Sequence, residues 1–250
     1  MSFGFELLIL ASAVLLVVAL PLVAYSGFKK TNLPANTVTK NMLFLTGALV
    51  VWLVLTAWLS STGIYSTQLF SRVPIIGIAI SVPIVLGVLV YRRSATARLL
   101  LQAIPQSHLI GIQAYRAFGF VFLILWGQGL IPGLFALPAG IGDILTGVGA
   151  VLLAVGVGIF QTGNRLAIRF WNSFGIADLV LAVFLGTITS PTPLQLAAFD
   201  MPNALISAYP LALIPTFAVP IAILLHLASL AKLRQEEQST EISEVLEESA

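Results

Sequence analysis

The stretch PGLFALPAGIGDILTGVGAVLLAVGVGI, residues 132–159, carries a single ionisable side chain, Asp143. At about 1.5 Å of rise per residue, a helix of this length exceeds a bilayer hydrocarbon core of roughly 30 Å. Six more runs of the same kind lie at Phe5 to Tyr25, Met42 to Ser60, Val73 to Tyr91, Leu109 to Leu130, Leu166 to Thr189 and Ala208 to Leu230. The apolar residues in them are continuous rather than alternating, which selects helices over a closed barrel; these are the two structures that satisfy the backbone in lipid. With 58% hydrophobic and 9% charged residues and a mean hydropathy of +1.03 over 250 residues, the chain has far more apolar surface than a soluble domain buries. The sequence therefore reads as all-α, a polytopic integral membrane protein with seven transmembrane helices in one membrane domain, residues 1–234.

Charge placement sets the expected orientation. Lys29, Lys30 and Lys40 lie between the first two runs, Arg92, Arg93 and Arg98 between the third and fourth, Arg165 and Arg169 around the sixth run's start, and Lys232 and Arg234 after the last. The opposite set of connections holds Arg72 alone. Basic residues collect on the cytoplasmic side, so the N-terminus is expected outside and the C-terminus in the cytoplasm. The first run is read as an uncleaved span, because the residues before it lack the positive charge of a signal peptide and carry Glu6. A helical rather than barrel architecture places the protein in a plasma membrane, with a bacterial inner membrane as the expectation.

Within the domain, residues 1–93 form a three-helix group with the character of a scaffold, 94–108 a cytoplasmic amphipathic linker, and 109–234 a four-helix group richer in buried polar residues. Residues 235–250 hold six of the ten acids among Ser and Thr and read as a disordered cytoplasmic tail, a candidate contact for a protein partner. Residues 190–207 carry Pro191, Pro193 and Pro202 around a short apolar piece, the pattern of an interfacial or re-entrant half-helix on the outer side.

Three charges inside apolar runs are the candidate site: Arg116, Asp143 and Asp178. Insertion costs about 2.5 to 3.5 kcal/mol for each unpaired charge at a helix centre, so three would cost roughly 8 to 10 kcal/mol, comparable with the whole stability of a domain. They must be paired, hydrated or protonated. Ala139, Asp143 and Gly147 share one helix face, as do Asp178, Ala182 and Gly186; small residues turn both acids toward neighbouring helices. Two acids against one base leave a surplus negative charge, removed by protonating one Asp or by binding a cation. Asn172 and Gln113 are polar enough to join such a site, and Pro215 and Pro220 in the last run are candidate hinges, since internal prolines free backbone carbonyls.

His226 and His108 are read as hydrogen-bonding residues near the cytoplasmic side, because two histidines without nearby carboxylates or thiols make a poor metal or haem site. No metal or other cofactor is expected. The chain has no cysteine, which removes disulfides, thiolate metal sites and cysteine nucleophiles. All four lysines lie at or beyond helix ends, so a retinal Schiff base inside the bundle is excluded. No phosphate-binding loop, zinc-hydrolase motif or nucleophile elbow occurs.

The expected function is small-molecule or proton-coupled transport, or ligand binding, at the Arg/Asp/Asp cluster. The alternatives are a structural or accessory membrane protein in which the trio is a packing ion pair, and an intramembrane enzyme acting on a lipophilic substrate, the least favoured because no nucleophile and base stand at a diagnostic spacing. The expected partners are membrane lipids and a small molecule or proton, and no nucleic acid.

Overall fold

The computed structural model describes residues 3–66, 75–160 and 164–248, and every regular element among them is helical. Helix α1 is Phe3–Phe28, α2 Ala35–Ser61, α3 Ile75–Arg93 and α4 Ala95–Ala103. The fourth long element is built of three pieces: α5, Gln106–Gly111; a 3-10 segment, Ile112–Gly119; and α6, Phe120–Gly127. Helices α7, Gly133–Phe160, and α8, Arg165–Thr189, follow, and then a π-helical turn, Ile214–Ala218, that runs into α9, Val219–Glu248. Seven of these elements are long and apolar enough to cross a membrane, each overlapping a run read from the sequence.

The punctuation between helices has local causes. Pro105 forces Ile104 into extended backbone (φ −67°, ψ 129°), which ends α4 and starts α5 afresh. Gly129, at φ +68°, takes the left-handed position after α6, where Leu130 N–H bonds Leu125 C=O and Gly129 N–H bonds Trp126 C=O in a Schellman arrangement. Ser94 caps α4 and Asn164 caps α8, each accepting backbone N–H groups of the first turn.

Helix α7 is the centre of the second half, packing on the 3-10 segment, α5 and α6 along one side and on α8 along the other. Its glycines permit this. A Cβ at Gly147 would collide with the backbone of Ala117, and one at Gly140 would come 3.1 Å from the Gly119 carbonyl oxygen. Helix α9 packs against α8, α3 and α5. Helices α2 and α3 bury few side chains; Leu43, Phe44, Val51, Val54, Val82 and Leu86 among others face outward.

The basic connections converge at one end of the bundle. Ser26 on α1 hydrogen-bonds His108 at 2.9 Å, Arg98 donates to the carbonyls of Tyr91 and Arg92, and Lys232 on α9 donates to Gln102 C=O at 2.6 Å. Arg72 lies outside the described residues, as do the last two residues of the acidic tail.

Three expectations are corrected. The acidic segment is not disordered in the structure: α9 continues through it to Glu248, aided by helix-forming Glu and Gln and by ion pairs of Lys232 with Glu236 (3.1 Å, one turn apart) and of Arg169 with Glu237. Residues 190–204 form no half-helix; they are turns and bends, closed by a 3-10 turn, Leu205–Ser207, with Pro193 and Pro202 bounding the short apolar piece on either side. The last span begins at Ile214 rather than near Ala208, six residues later, and this moves His226 from the helix end toward its middle.

The π turn sits where the prolines act. Pro220 lacks the N–H that would bond Thr216 C=O in an α-helix, and the Trp52 indole of α2 donates to that oxygen instead, at 3.2 Å. Tyr115 donates similarly to Ala218 C=O at 3.1 Å. Replacing Trp52 by Phe keeps the edge-on ring contact with Phe217 (centroids 5.0 Å apart) and removes only the donor. Trp52→Phe is expected to lower stability by about 1 to 3 kcal/mol, the cost of stranding a buried carbonyl, as measured by denaturation of the purified protein in detergent.

Candidate functional site

The 3-10 segment determines how the site is presented. With three residues per turn, side chains three apart stack along one edge, and Gln113, Arg116 and Gly119 are the buried residues of that stretch. An α-helix would have rotated each away from the last. Gly119 gives the room in which the Asp143 side chain lies, since a Cβ there would overlap it.

Arg116 is 3% exposed and lies halfway along its span. Its Nε donates to Asp143 Oδ1 at 2.8 Å, and its Nη2 donates to Asp178 Oδ2. Nη1 bonds the Gly175 carbonyl at 3.3 Å and His226 Nε2 at 3.1 Å. One guanidinium thus ties its own span to α7, α8 and α9. Gly175 is required by this geometry, because a Cβ would strike the His226 ring and approach Arg116 Nη1 to 3.1 Å.

The donor inventory fixes the tautomer of His226. Arginine only donates, so His226 Nε2 accepts and the ring proton resides on Nδ1, which donates to Asn172 Oδ1 at 2.9 Å. The Asn172 amide then donates to Ile168 C=O and to Ser229 Oγ, both at 2.8 Å, and Ser229 Oγ accepts from Gln106 Nε2 at 2.6 Å. His226, Asn172 and Gln113 are fully buried. The Trp171 ring packs on His226, with centroids 4.8 Å apart, while its indole N–H bonds Thr146 C=O at 3.0 Å. The result is a buried polar chain from the two acids through Arg116, His226, Asn172 and Ser229 to Gln106 at the basic end.

The structure brings together Arg116, Asp143 and Asp178 by direct ion pairs, and Asn172 at one remove through His226. It does not join Gln113 to the acids by any hydrogen bond: the side chain donates to Ala222 C=O at 3.2 Å, and its Oε1 is buried without a hydrogen-bond partner. Pro215 lies in the π turn, and Pro220 in the first turn of α9. The residues that sequence reasoning missed are Ser229 and Gln106, and it assigned His226 to the interface. The available signal was spacing: His226 and Ser229 are three apart, as are Asn172, Gly175 and Asp178.

Each acid keeps one oxygen outside the ion pairs, and the two face different spaces. Asp143 borders a cavity of about 60 Å³ together with Tyr115, Ser12 of α1 and the π turn, room for a few waters. Asp178 lies at the bottom of an open groove of about 500 Å³ between α7 and α8, whose sides are apolar. No residue lines both.

The family model described as Domain of unknown function (DUF8737) matches residues 73–234. The match takes in every residue of the polar chain and omits α1 and α2. No curated protein and no solved structure matches the chain.

Removing the base leaves two buried carboxylates uncompensated. Arg116→Gln is expected to destabilise the protein by about 3 to 5 kcal/mol, with part recovered in Arg116→Gln combined with Asp178→Asn. Gly175→Ala should be destabilising by about 1 to 3 kcal/mol through overpacking against His226. Thermal denaturation of the four proteins, wild type included, checks both.

Proposed function

We propose that this chain, which belongs to the DUF8737 family because the match spans more than half of it, is a seven-span membrane protein that binds a proton or small ligand at the Arg116, Asp143 and Asp178 cluster and uses that site for transport. Its N-terminus is outside and its basic connections and C-terminus are cytoplasmic, following the Lys and Arg bias. The bacterial inner membrane suits a helical protein with this bias.

The observation that carries the reading is the charge count at the centre of the bundle. One guanidinium serves two carboxylates, and His226 contributes no balancing charge while its Nε2 accepts from Arg116. With both acids ionised the cluster is one negative charge in excess, in surroundings where an uncompensated charge is costly. A proton or a cation restores neutrality, and both free acid oxygens border space that such a species can enter. Arg116 is poorly suited to hold an anion, because Nε, Nη1 and Nη2 are all engaged by protein acceptors. The buried, unpartnered Gln113 Oε1 and Thr146 Oγ1, one turn from Arg116 and Asp143 respectively, add hydration capacity beside the cluster. The π turn and its prolines supply the backbone irregularity from which moving helices are built.

A second reading, that the cluster only fixes packing, draws on the same saturation of Arg116 by acceptors from three other spans. Infrared spectroscopy in lipid separates the two. The expected result is a protonated-carboxyl band at neutral pH that disappears in Asp143→Asn or Asp178→Asn. Absence of such a band at every pH at which the protein stays folded would sink the proton-binding reading and leave packing. The orientation is tested independently: with no native cysteine, a single cysteine at Thr62 should react with an impermeant maleimide from outside intact cells, and one at Ala97 only after the cells are opened.

A further inference from the structure

The groove between α7 and α8 differs from the rest of the apolar surface in what lies at its bottom. Its sides are Leu137, Ile141, Leu145, Phe174 and Leu181, four of them more than a third exposed. Its floor is Asp178, whose side chain is 7% exposed and whose Oδ1 makes no hydrogen bond among the described residues. Gly142 makes this possible: a Cβ there would occupy the space of Asp178 Oδ1, so a glycine at this turn of α7 leaves the oxygen in place beside the groove it also lines. A charged group at the bottom of an apolar groove on a lipid-facing surface is unfavourable unless something shares its charge. The groove volume of about 500 Å³ lies within the range of small-molecule sites.

We infer that this groove is a binding site for a lipophilic cation, which enters sideways from the bilayer between α7 and α8 and sets its positive charge against Asp178 Oδ1. The class follows from two features of the groove together. Apolar walls with an aromatic ring, Phe174, select an apolar body, and the unshared carboxylate oxygen selects a positive charge on it. The cluster's excess of one negative charge is cancelled by one such cation, and a proton held by the two acids is then released, so cation and proton compete for one neutralising place. Because Asp143 faces the other cavity, across Arg116, the released proton has a path that the bound cation does not block. The inference deepens the proposed function and rests on it.

The test uses the full chain in detergent and radiolabelled tetraphenylphosphonium, with radiolabelled tetraphenylborate, a probe of the same shape and opposite charge, measured in separate samples because the two ions pair with each other. Saturable phosphonium binding is expected, with no saturable binding of the borate. Asp178→Asn should weaken binding by about thirtyfold or more, the factor for losing one buried charge partner. Ala177→Trp, on the exposed face of α8 beside Asp178, should block the groove without touching Arg116, and so keeps the test decisive if Asp178→Asn does not fold. Leu43→Trp, on the exposed side of α2, a helix that contributes no residue to the groove, should bind like wild type. Equal binding of both probes would mean a groove for lipid chains without charge preference and overturns the inference, as does undiminished binding in Asp178→Asn or Ala177→Trp, or no saturable binding at all. If the carboxyl band is present and phosphonium does not bind, the cation site alone fails; if the band is also absent, the proposed function fails with it.

Discussion

The guanidinium of Arg116 is the interaction on which the second half of this structure depends. It is buried at the centre of a bundle made almost wholly of apolar side chains, where an unpaired charge would cost about as much as several good packing interactions supply. Satisfying it requires acceptors from α7, α8 and α9 at once, and each requires a local concession from the backbone. Gly119 makes room for Asp143, Gly142 for Asp178, and Gly175 for His226. The positions of four spans relative to one another follow from this one group together with the glycines around it.

A second constraint acts on the last span and is tied to the first through the fourth. Pro220 leaves the Thr216 carbonyl that a regular helix would have satisfied, and Trp52 from α2 donates to it, while Tyr115, which precedes Arg116, adds a bond to the Ala218 carbonyl. Residues in the three-helix group that reads as scaffold therefore participate in the site. Trp52 steadies the π turn, and Ser12 of α1 lines the cavity that Asp143 faces. An element with its backbone bonds satisfied from neighbouring helices is held by side chains, which can rearrange at lower cost than an α-helical ladder.

The voids beside the two acids give the cluster its chemical asymmetry. Asp143 and Asp178 share Arg116 yet border different spaces, one small and partly polar, the other an open apolar groove. Neutralising either acid changes the claim of the other on the same guanidinium, so events in the two spaces are coupled through one hydrogen-bonded group without any longer path between them. His226 holds the remaining side of Arg116, and Asn172, Ser229 and Gln106 hold His226.

Hydropathy by itself determined the seven helices and their approximate limits, because a run of twenty apolar residues has few other uses. The sequence also showed which acidic and basic side chains break the apolar runs deeply: Arg116, Asp143 and Asp178. Pairing was beyond it. Which acid meets Arg116 depends on the rotation of each helix, and that rotation is set by the 3-10 phase of Ile112–Gly119 and by the close approach of Ala117 to Gly147, neither of which has a periodic signature. His226 was misplaced for a related reason: hydropathy cannot tell an apolar turn such as 208–213 from the first turn of a helix, and six residues displace a side chain by about 9 Å along the axis. The acidic segment was misread because composition reports solvation, whereas Arg169 from α8 and the preceding turn of α9 hold it helical. Composition and period are local sums and survive without coordinates; a buried charge is satisfied by partners from other helices, and only the packed bundle decides who they are.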